Sequence, residues 1–173
     1  VFSTDQLAQM CGLSKSAMDY RISTAKRQHA ERENGGGEPG EPEPLPLGSI
    51  ASTGSPRRFS LEDARRWIKN CRPIPPRQPG EQALVITVIN TKGGVAKTST
   101  AFTLAQGLSL RGYDTLFLDA DAQASGTTLT GTVPERDINW DDTIGPFVFG
   151  EQPDLTYAVA TTYWDGLDII PSS

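Results

Sequence analysis

No stretch of this sequence approaches the roughly 18–20 consecutive apolar residues that a membrane-spanning helix needs, and no signal peptide is visible. Cysteine is nearly absent. Cys11 and Cys71 are the only two, too few and too widely spaced for a disulfide framework or a metal cluster, and they read as ordinary thiols of a reducing compartment. Histidine is scarcer still: His29 is alone, at a polar helix end, and is assigned no role. What is there is a chain of 173 residues with 36% hydrophobic and 21% charged residues, a composition suited to a soluble globular protein of one domain or two small ones. The first residue is Val1 rather than Met, which leads to the expectation that the natural N-terminus lies upstream.

Acidic residues outnumber basic ones, for a net charge of −5, but the excess is confined to one half. Residues 1–80 hold 12 Lys+Arg against 9 Asp+Glu, and residues 81–173 hold 4 against 12. Such asymmetry fits two units with different partners. Punctuation agrees. Residues 31–58 contain Gly35-Gly36-Gly37 and Glu38-Pro39-Gly40-Glu41-Pro42-Glu43-Pro44, too polar to order themselves, and are expected to be a mobile loop. Pro73, Pro75, Pro76 and Pro79 mark a stiff linker over residues 73–82. The expected organisation is a helical unit over 1–72, this linker, and an α/β unit over 83–173.

In the first unit, Ser3-Thr4-Asp5-Gln6 has the form of a capping box. Leu7, Ala8, Met10 and Cys11 give the helix that follows an apolar side, and Gly12 ends it. Ser14 caps a second helix in which Met18, Ile22 and Ala25 recur at helical spacing. Helix, short glycine turn, helix is the helix-turn-helix pattern, whose second helix enters the major groove of DNA. Ser14, Lys15, Ser16, Tyr20 and Arg21 are then the candidate DNA contacts. A small helical hairpin with a solvated polar face fits the same residues. The run Arg57-Arg58-Phe59-Ser60-Leu61-Glu62-Asp63 favours the first reading, because it resembles the exit from the wing of MerR-like winged helices. Ser60 and Asp63 cap the third helix, Leu61, Ala64 and Ile68 form its buried stripe beside Trp67, and Arg57 and Arg58 join the candidate DNA contacts. Residues 31–56 would then be an enlarged wing.

The second unit opens with Leu84-Val85-Ile86-Thr87-Val88-Ile89, an apolar, β-branched run that predicts a strand buried on both faces of a parallel sheet. A glycine loop follows, then a helix over 98–110 expected to turn Leu104, Ala105 and Leu108 to the sheet, then a second strand at Thr115-Leu116-Phe117-Leu118. Strand, loop, helix, strand is a βαβ unit, which places ligands at the strand C-termini. The loop is Lys92-Gly93-Gly94-Val95-Ala96-Lys97-Thr98-Ser99. Glycine lets backbone N–H groups surround a phosphate, and the helix start adds free donors and partial positive charge. Lys97 is the candidate for the β- and γ-phosphates, Thr98 for Mg²⁺ and Ser99 for the α-phosphate. The pattern departs from the standard Walker A motif, with Thr91 and Ala96 where glycines belong, and matches the deviant form with its additional lysine, Lys92.

The run from Asn90 to Ala105, followed by Leu118-Asp119-Ala120-Asp121-Ala122-Gln123, resembles the ParA family of DNA-partition ATPases within the ParA/MinD group. Ala122 stands where that family's second motif has proline. The stretches Asp142-Thr143-Ile144-Gly145-Pro146-Phe147 and Gly166-Leu167-Asp168-Ile169-Ile170-Pro171-Ser172 also resemble the family. With a helix-turn-helix in front, the match is to the large ParA subclass. The resemblance implies an α/β fold, a P-loop NTPase parallel sheet with flanking helices, preceded by a small all-α or winged helix-turn-helix domain. It also implies that the sheet is truncated here, since that family's ATPase domain continues further.

By the same resemblance, Lys92 matches the lysine that reaches the partner's nucleotide in an ATP-sandwich homodimer; within one chain it would neutralise its own phosphate. Asp121 matches the residue that positions the attacking water, Asp119 the one supporting the Mg²⁺ shell, and Gln123 a nucleotide-sensing switch residue. Lys92, Lys97 and Asp121 are thus the catalytic candidates, and Thr98 with Asp119 the metal candidates. The implied cofactors are ATP/ADP and Mg²⁺. The implied partners are operator and non-specific DNA, a ParB-like centromere-binding protein and a second copy of the chain, with no membrane. The setting is cytoplasmic and nucleoid-associated, and the activity a weak, partner-stimulated ATPase that represses its own operon and is expected to be inactive in an incomplete domain. A nucleotide-sensing repressor without a partition role is the alternative. A MinD-like membrane-positioning ATPase would need a C-terminal amphipathic helix. Trp140, Tyr157, Tyr163 and Trp164 are expected in core or interface.

Overall fold

Three serines start the helices of the N-terminal half. Ser3 caps α1 (Thr4–Cys11) in a reciprocal box with Gln6. Ser14 caps α2 (Lys15–Glu33) by accepting from the Ala17 N–H. Ser60 caps α3 (Leu61–Cys71) in a second box with Asp63. Each such cap stabilises its helix by about 1 kcal/mol. Gly12, at φ +69°, supplies the left-handed turn between α1 and α2. α2 runs longer than its apolar spacing suggested, to Glu33.

These facts come from a computed structural model that describes residues 1–36, 40–75, 78 and 80–173. Gly37, Glu38 and Pro39 of the glycine–proline run, and Pro76 and Pro79 of the expected linker, lie outside the described residues. The chain forms two compact units, Val1–Pro75 with Leu110–Gly112, and Pro76–Ser109 with Tyr113–Ser173.

In the first unit, Leu7, Met18, Phe59, Trp67 and Ile68 are buried in one core with Ala8, Cys11, Ile22, Ala25 and Ala64. Burying each large side chain there contributes roughly 1.5–3 kcal/mol. Two short strands, β1 (Phe2–Ser3) and β2 (Arg58–Phe59), pair antiparallel, and Ser49 bridges to Arg58. Residues 49–58 thus close a short antiparallel hairpin. Residues 40–48 are not a free loop. Leu45 and Leu47 pack on the core. The Trp67 indole N–H donates to the Pro46 carbonyl at 2.8 Å, and His29 Nε2 lies 3.0 Å from the Leu45 carbonyl. Arg32 donates to the Glu41 and Pro42 carbonyls, and Arg66 to the Glu43 carboxylate. The partners of this segment lie on α2 and α3, distant in sequence, which composition does not reveal.

In the second unit, α4 (Lys97–Leu110) covers one face of a three-stranded sheet. β3 (Thr115–Leu118) runs parallel to β5 (Leu167–Ile170), and β4 (Ala160–Thr161) pairs antiparallel with β5's other edge. Between β3 and β4 lie the short helices α5 (Ser125–Leu129), α6 (Pro134–Asp137) and α7 (Gly145–Val148). The fold class is α/β, with a mixed rather than purely parallel sheet. The core comprises Phe102, Ala105, Phe117, Leu167 and Ile169, with Trp164 packed against it and the Phe102 and Phe117 rings edge to face at 5.7 Å. Trp164 is also held by its indole N–H, which donates to the Ser109 hydroxyl at 3.0 Å. Trp140 and Tyr163 are exposed.

Two expectations fail here. Residues 84–89 form no strand: Leu84, Val85 and Ile89 are 87%, 81% and 84% exposed, and none of the described residues pairs with them. β-Propensity expresses fit to neighbouring strands, and without a ladder partner it orders nothing. The buried face of α4 carries Phe102, Ala105 and Ser109, while Leu104 points outward. β3, too, is covered on one face only, with Leu116 and Leu118 exposed.

Candidate functional site

The phosphate-loop residues form a tight turn leading into α4. Gly94 has φ +70°, a conformation glycine adopts freely. Ala96 has φ +60°, where an L-residue carries strain of order 1–2 kcal/mol. That strained position is the one at which the standard motif has glycine. Among the described residues, none beyond the immediate chain neighbours has an atom within 4 Å of a Cβ built on Gly93 or Gly94, so packing against them does not demand glycine at either. The Lys92 N–H donates to Asn90 Oδ1 at 2.9 Å, closing the start of the turn. Lys97, the first residue of α4, folds its ammonium back across the loop to the Lys92 carbonyl at 3.4 Å. Thr98 is half-buried and Ser99 exposed.

The first turn of α4 contains no acidic residue and begins with a lysine. A cation at a helix N-terminus opposes the helix dipole by some tenths of a kcal/mol up to about 1 kcal/mol. An anion resting on the free N–H groups and on Lys97 reverses that sign. Donors, lysine and backbone turn therefore suit a phosphate.

The second cluster lies at the end of β3. Phe102, early in α4, meets Phe117, late in β3, so the start of the helix and the end of the strand share one end of the unit. Asp119 is only 4% exposed. Its Oδ2 accepts from the Thr127 N–H at 2.7 Å and the Thr127 hydroxyl at 2.9 Å, and its Oδ1 accepts from the Asp121 N–H at 3.3 Å. Asp121 is exposed, and its Oδ1 accepts from the Gln123 N–H at 3.0 Å. The two carboxylates thus differ: Asp119 is anchored in the fold, and Asp121 faces solvent on a turn.

Sequence reasoning missed Thr127 and Gly126. Thr127 is fully buried, and its hydroxyl joins Asp119 to the Ser172 N–H, which donates to it at 2.9 Å. A Cβ on Gly126 would come within 2.6 Å of the Phe117 ring and 2.9 Å of Asp119 Oδ2. Neither residue belongs to the quoted motifs. The only available signal was a hydroxyl and a glycine a few residues beyond a strand-end carboxylate.

Among the described residues, no group of three or more His, Cys, Asp or Glu side chains is arranged to hold a metal. Asp119 Oδ2 is committed to Thr127, while Oδ1 accepts only the longer bond from the Asp121 N–H and keeps a lone pair for a ligand. That fits Mg²⁺, which keeps several waters and takes few protein oxygens when bound with phosphates. No hydrogen bond or ion pair among the described residues joins the loop to the Asp119–Asp121 turn.

The DNA-contact candidates of the first unit differ in freedom. Lys15 pairs with Asp5 at 3.0 Å, and that hydrogen bond holds its pKa above the ordinary value. Ser14 is spent on the cap, with Ser16 3.3 Å from its hydroxyl. Arg21 reaches Asn70 Oδ1 at 3.5 Å and Cys71 Sγ at 3.4 Å. Arg57 donates to the Leu47 carbonyl. Arg58 is exposed, and Tyr20 is 74% exposed. Tyr20, Arg21, Thr24, Gln28 and Trp67 help line a groove of about 530 Å³, on which the Glu41–Pro42–Glu43 run also borders.

The described residues contain no helix long and apolar enough to cross a membrane. Residues 83–173 match the model of a family described as "AAA domain". Protein SopA of Escherichia coli (strain K12) is 47% identical over 89 residues, 51% of this chain and 23% of that protein. The "Putative replication protein A" of Rhizobium rhizogenes is 41% identical over 132 residues, 70% of this chain and 33% of that protein. The chromosome partitioning protein ParA of Caulobacter vibrioides is 36% identical over 88 residues, 51% of this chain and 32% of that protein. The chain thus spans a third or less of the length of these three relatives.

Proposed function

Because the chain belongs to the AAA domain family, in its ParA-type partition branch, we propose that it is part of an ATP-dependent partition protein that dimerises on ATP, binds DNA and represses its own operon. The observation that carries this reading is the loop itself: a left-handed glycine turn running into a helix whose first residue is a lysine folded back over it. DNA as a partner is supported by the three capped helices and hairpin of the first unit, with Ser16, Tyr20 and Arg58 exposed. The proposed partners include a ParB-like centromere-binding protein, in a cytoplasmic, nucleoid-associated setting; similarity to a protein named chromosome partitioning protein ParA supports a partition role.

In this proposal the N–H groups of Gly93 to Ser99 surround the phosphates of ATP. Lys97 leaves the Lys92 carbonyl for the β- and γ-phosphates, and Ser99 bonds the α-phosphate. Lys92 reaches the nucleotide of a second copy. Thr98 and Asp119 would hold Mg²⁺, which when bound would offset phosphate charge. Asp121, exposed on its turn, orients the attacking water. Catalysis is then positioning and electrostatic stabilisation of an in-line displacement.

The test is ATP turnover by the full-length protein, with and without duplex DNA and the candidate partner protein, beside its Lys97→Ala variant. Slow hydrolysis stimulated by both additions is expected, with nucleotide affinity lowered about 10- to 100-fold in the variant, as the loss of a charge-assisted contact implies. Tight ATP binding without stimulated turnover would favour a nucleotide-sensing repressor. Equal nucleotide affinity in the variant would remove the loop assignment.

A further inference from the structure

The acidic run that follows α2 lies on arginines of α2 and α3. Arg32, in the last turn of α2, donates to the Glu41 and Pro42 carbonyls at 2.9 Å each, and its guanidinium is 3.9 Å from the Glu41 carboxylate. Arg66, on α3, donates to the Glu43 carboxylate at 3.0 Å and to the Pro44 carbonyl at 3.2 Å. Glu41 and Glu43 line one groove with Arg32 and with Tyr20 and Arg21, two of the candidate DNA contacts. A carboxylate on a guanidinium occupies the place that a phosphate oxygen takes. The acidic run and a nucleic-acid backbone therefore compete for the same cations.

We propose that Arg32 and Arg66 are a further contact surface for the phosphate backbone of duplex DNA, and that residues 41–43 are a strap that competes for it. The inference rests on the DNA-binding reading of the first unit and adds its regulation. A backbone contact carries no sequence information, so the strap sets how tightly the unit holds any duplex rather than which sequence it selects.

The two ends of the segment are held unequally. At its base, Pro44 is buried, Leu45 and Leu47 pack on the core, and the Pro46 carbonyl accepts from the Trp67 indole. At its tip, the Glu41 and Glu43 side chains are 58% and 74% exposed, and the Arg32 and Arg66 side chains 32% and 36%. Ion pairs so open to water are weak and are screened by salt. The tip is thus displaceable while the base stays docked. A duplex that reaches either arginine must first displace what holds it, and carboxylates left nearby repel its phosphates. Both effects lower the affinity.

The test is a double-mutant cycle on the full-length protein, read as affinity for a random-sequence duplex in the absence of nucleotide. Glu41→Gln/Glu43→Gln keeps the side-chain shapes and leaves the docked base intact. It is expected to bind the duplex about 3- to 10-fold more tightly at low salt, with the gain shrinking as salt rises. In an Arg32→Gln/Arg66→Gln background the same two substitutions should bring no gain, because no withheld arginine remains to be freed. Absence of a gain in the wild-type background would overturn the inference. An equal gain in both backgrounds would overturn it too, since it would reflect charge removal alone. A wild-type protein that binds no duplex would instead remove the DNA-binding reading of the unit, and the competition with it.

Discussion

The two units bury their apolar residues to different degrees. In the first, the described helices are capped and their apolar stripes meet in one core. In the second, α4 covers one face of a small sheet, while Leu116, Leu118 and the extended run at Leu84, Val85, Ile86 and Ile89 remain exposed. The first unit satisfies its local preferences with its own residues. The second carries strong β-propensity that has no partner among the described residues, together with a strained alanine and a helix that begins with a cation. Local conflict of this kind gathers at functional sites.

The largest expected effect breaks the first unit alone. Trp67→Ala removes a fully buried indole and leaves the Pro46 carbonyl without its donor. A loss of about 3–5 kcal/mol is expected. Fluorescence of Trp140 and Trp164, both in the second unit, should keep its denaturation midpoint. A parallel shift would show that the units unfold together.

Thr127→Val sharpens the comparison from the other side. It keeps the shape but strips one donor from the Asp119 carboxylate and the acceptor from the Ser172 N–H. A loss of about 1–3 kcal/mol confined to the second unit is expected, and Thr127→Ser should restore most of it. Equal destabilisation by serine would point to packing of the lost methyl instead.

The smallest effect concerns the phosphate loop. Ala96→Gly relieves the strain at φ +60° but adds freedom to the unfolded chain, two terms of similar size and opposite sign. The expected change in stability is below about 1 kcal/mol. A loss well beyond that in urea denaturation would mean that the alanine methyl makes a packing contact that outweighs its strain.

Local chemistry was legible in the sequence. The boxes at Ser3 and Ser60, the cap at Ser14 and the left-handed turn at Gly12 all stand as read, because each is settled within a few residues. The turn at Gly93 and Gly94 leading into α4 was legible for the same reason. The acidic run was not, since Pro46 and Leu45 are ordered by Trp67 and His29, distant in sequence. Nor was the exposure of residues 84–89, which read by composition as a buried strand and form none.

By itself, then, the sequence determined where the three capped helices start, where the glycine turn before α4 lies and which family this chain joins, since those properties depend on neighbouring residues. Tertiary structure alone decided which face of α4 is buried, that Thr127 holds Asp119, and that the Trp67 indole N–H meets the Pro46 carbonyl. Each of these depends on groups brought together by packing, and packing energy is set by neighbours in space rather than in sequence.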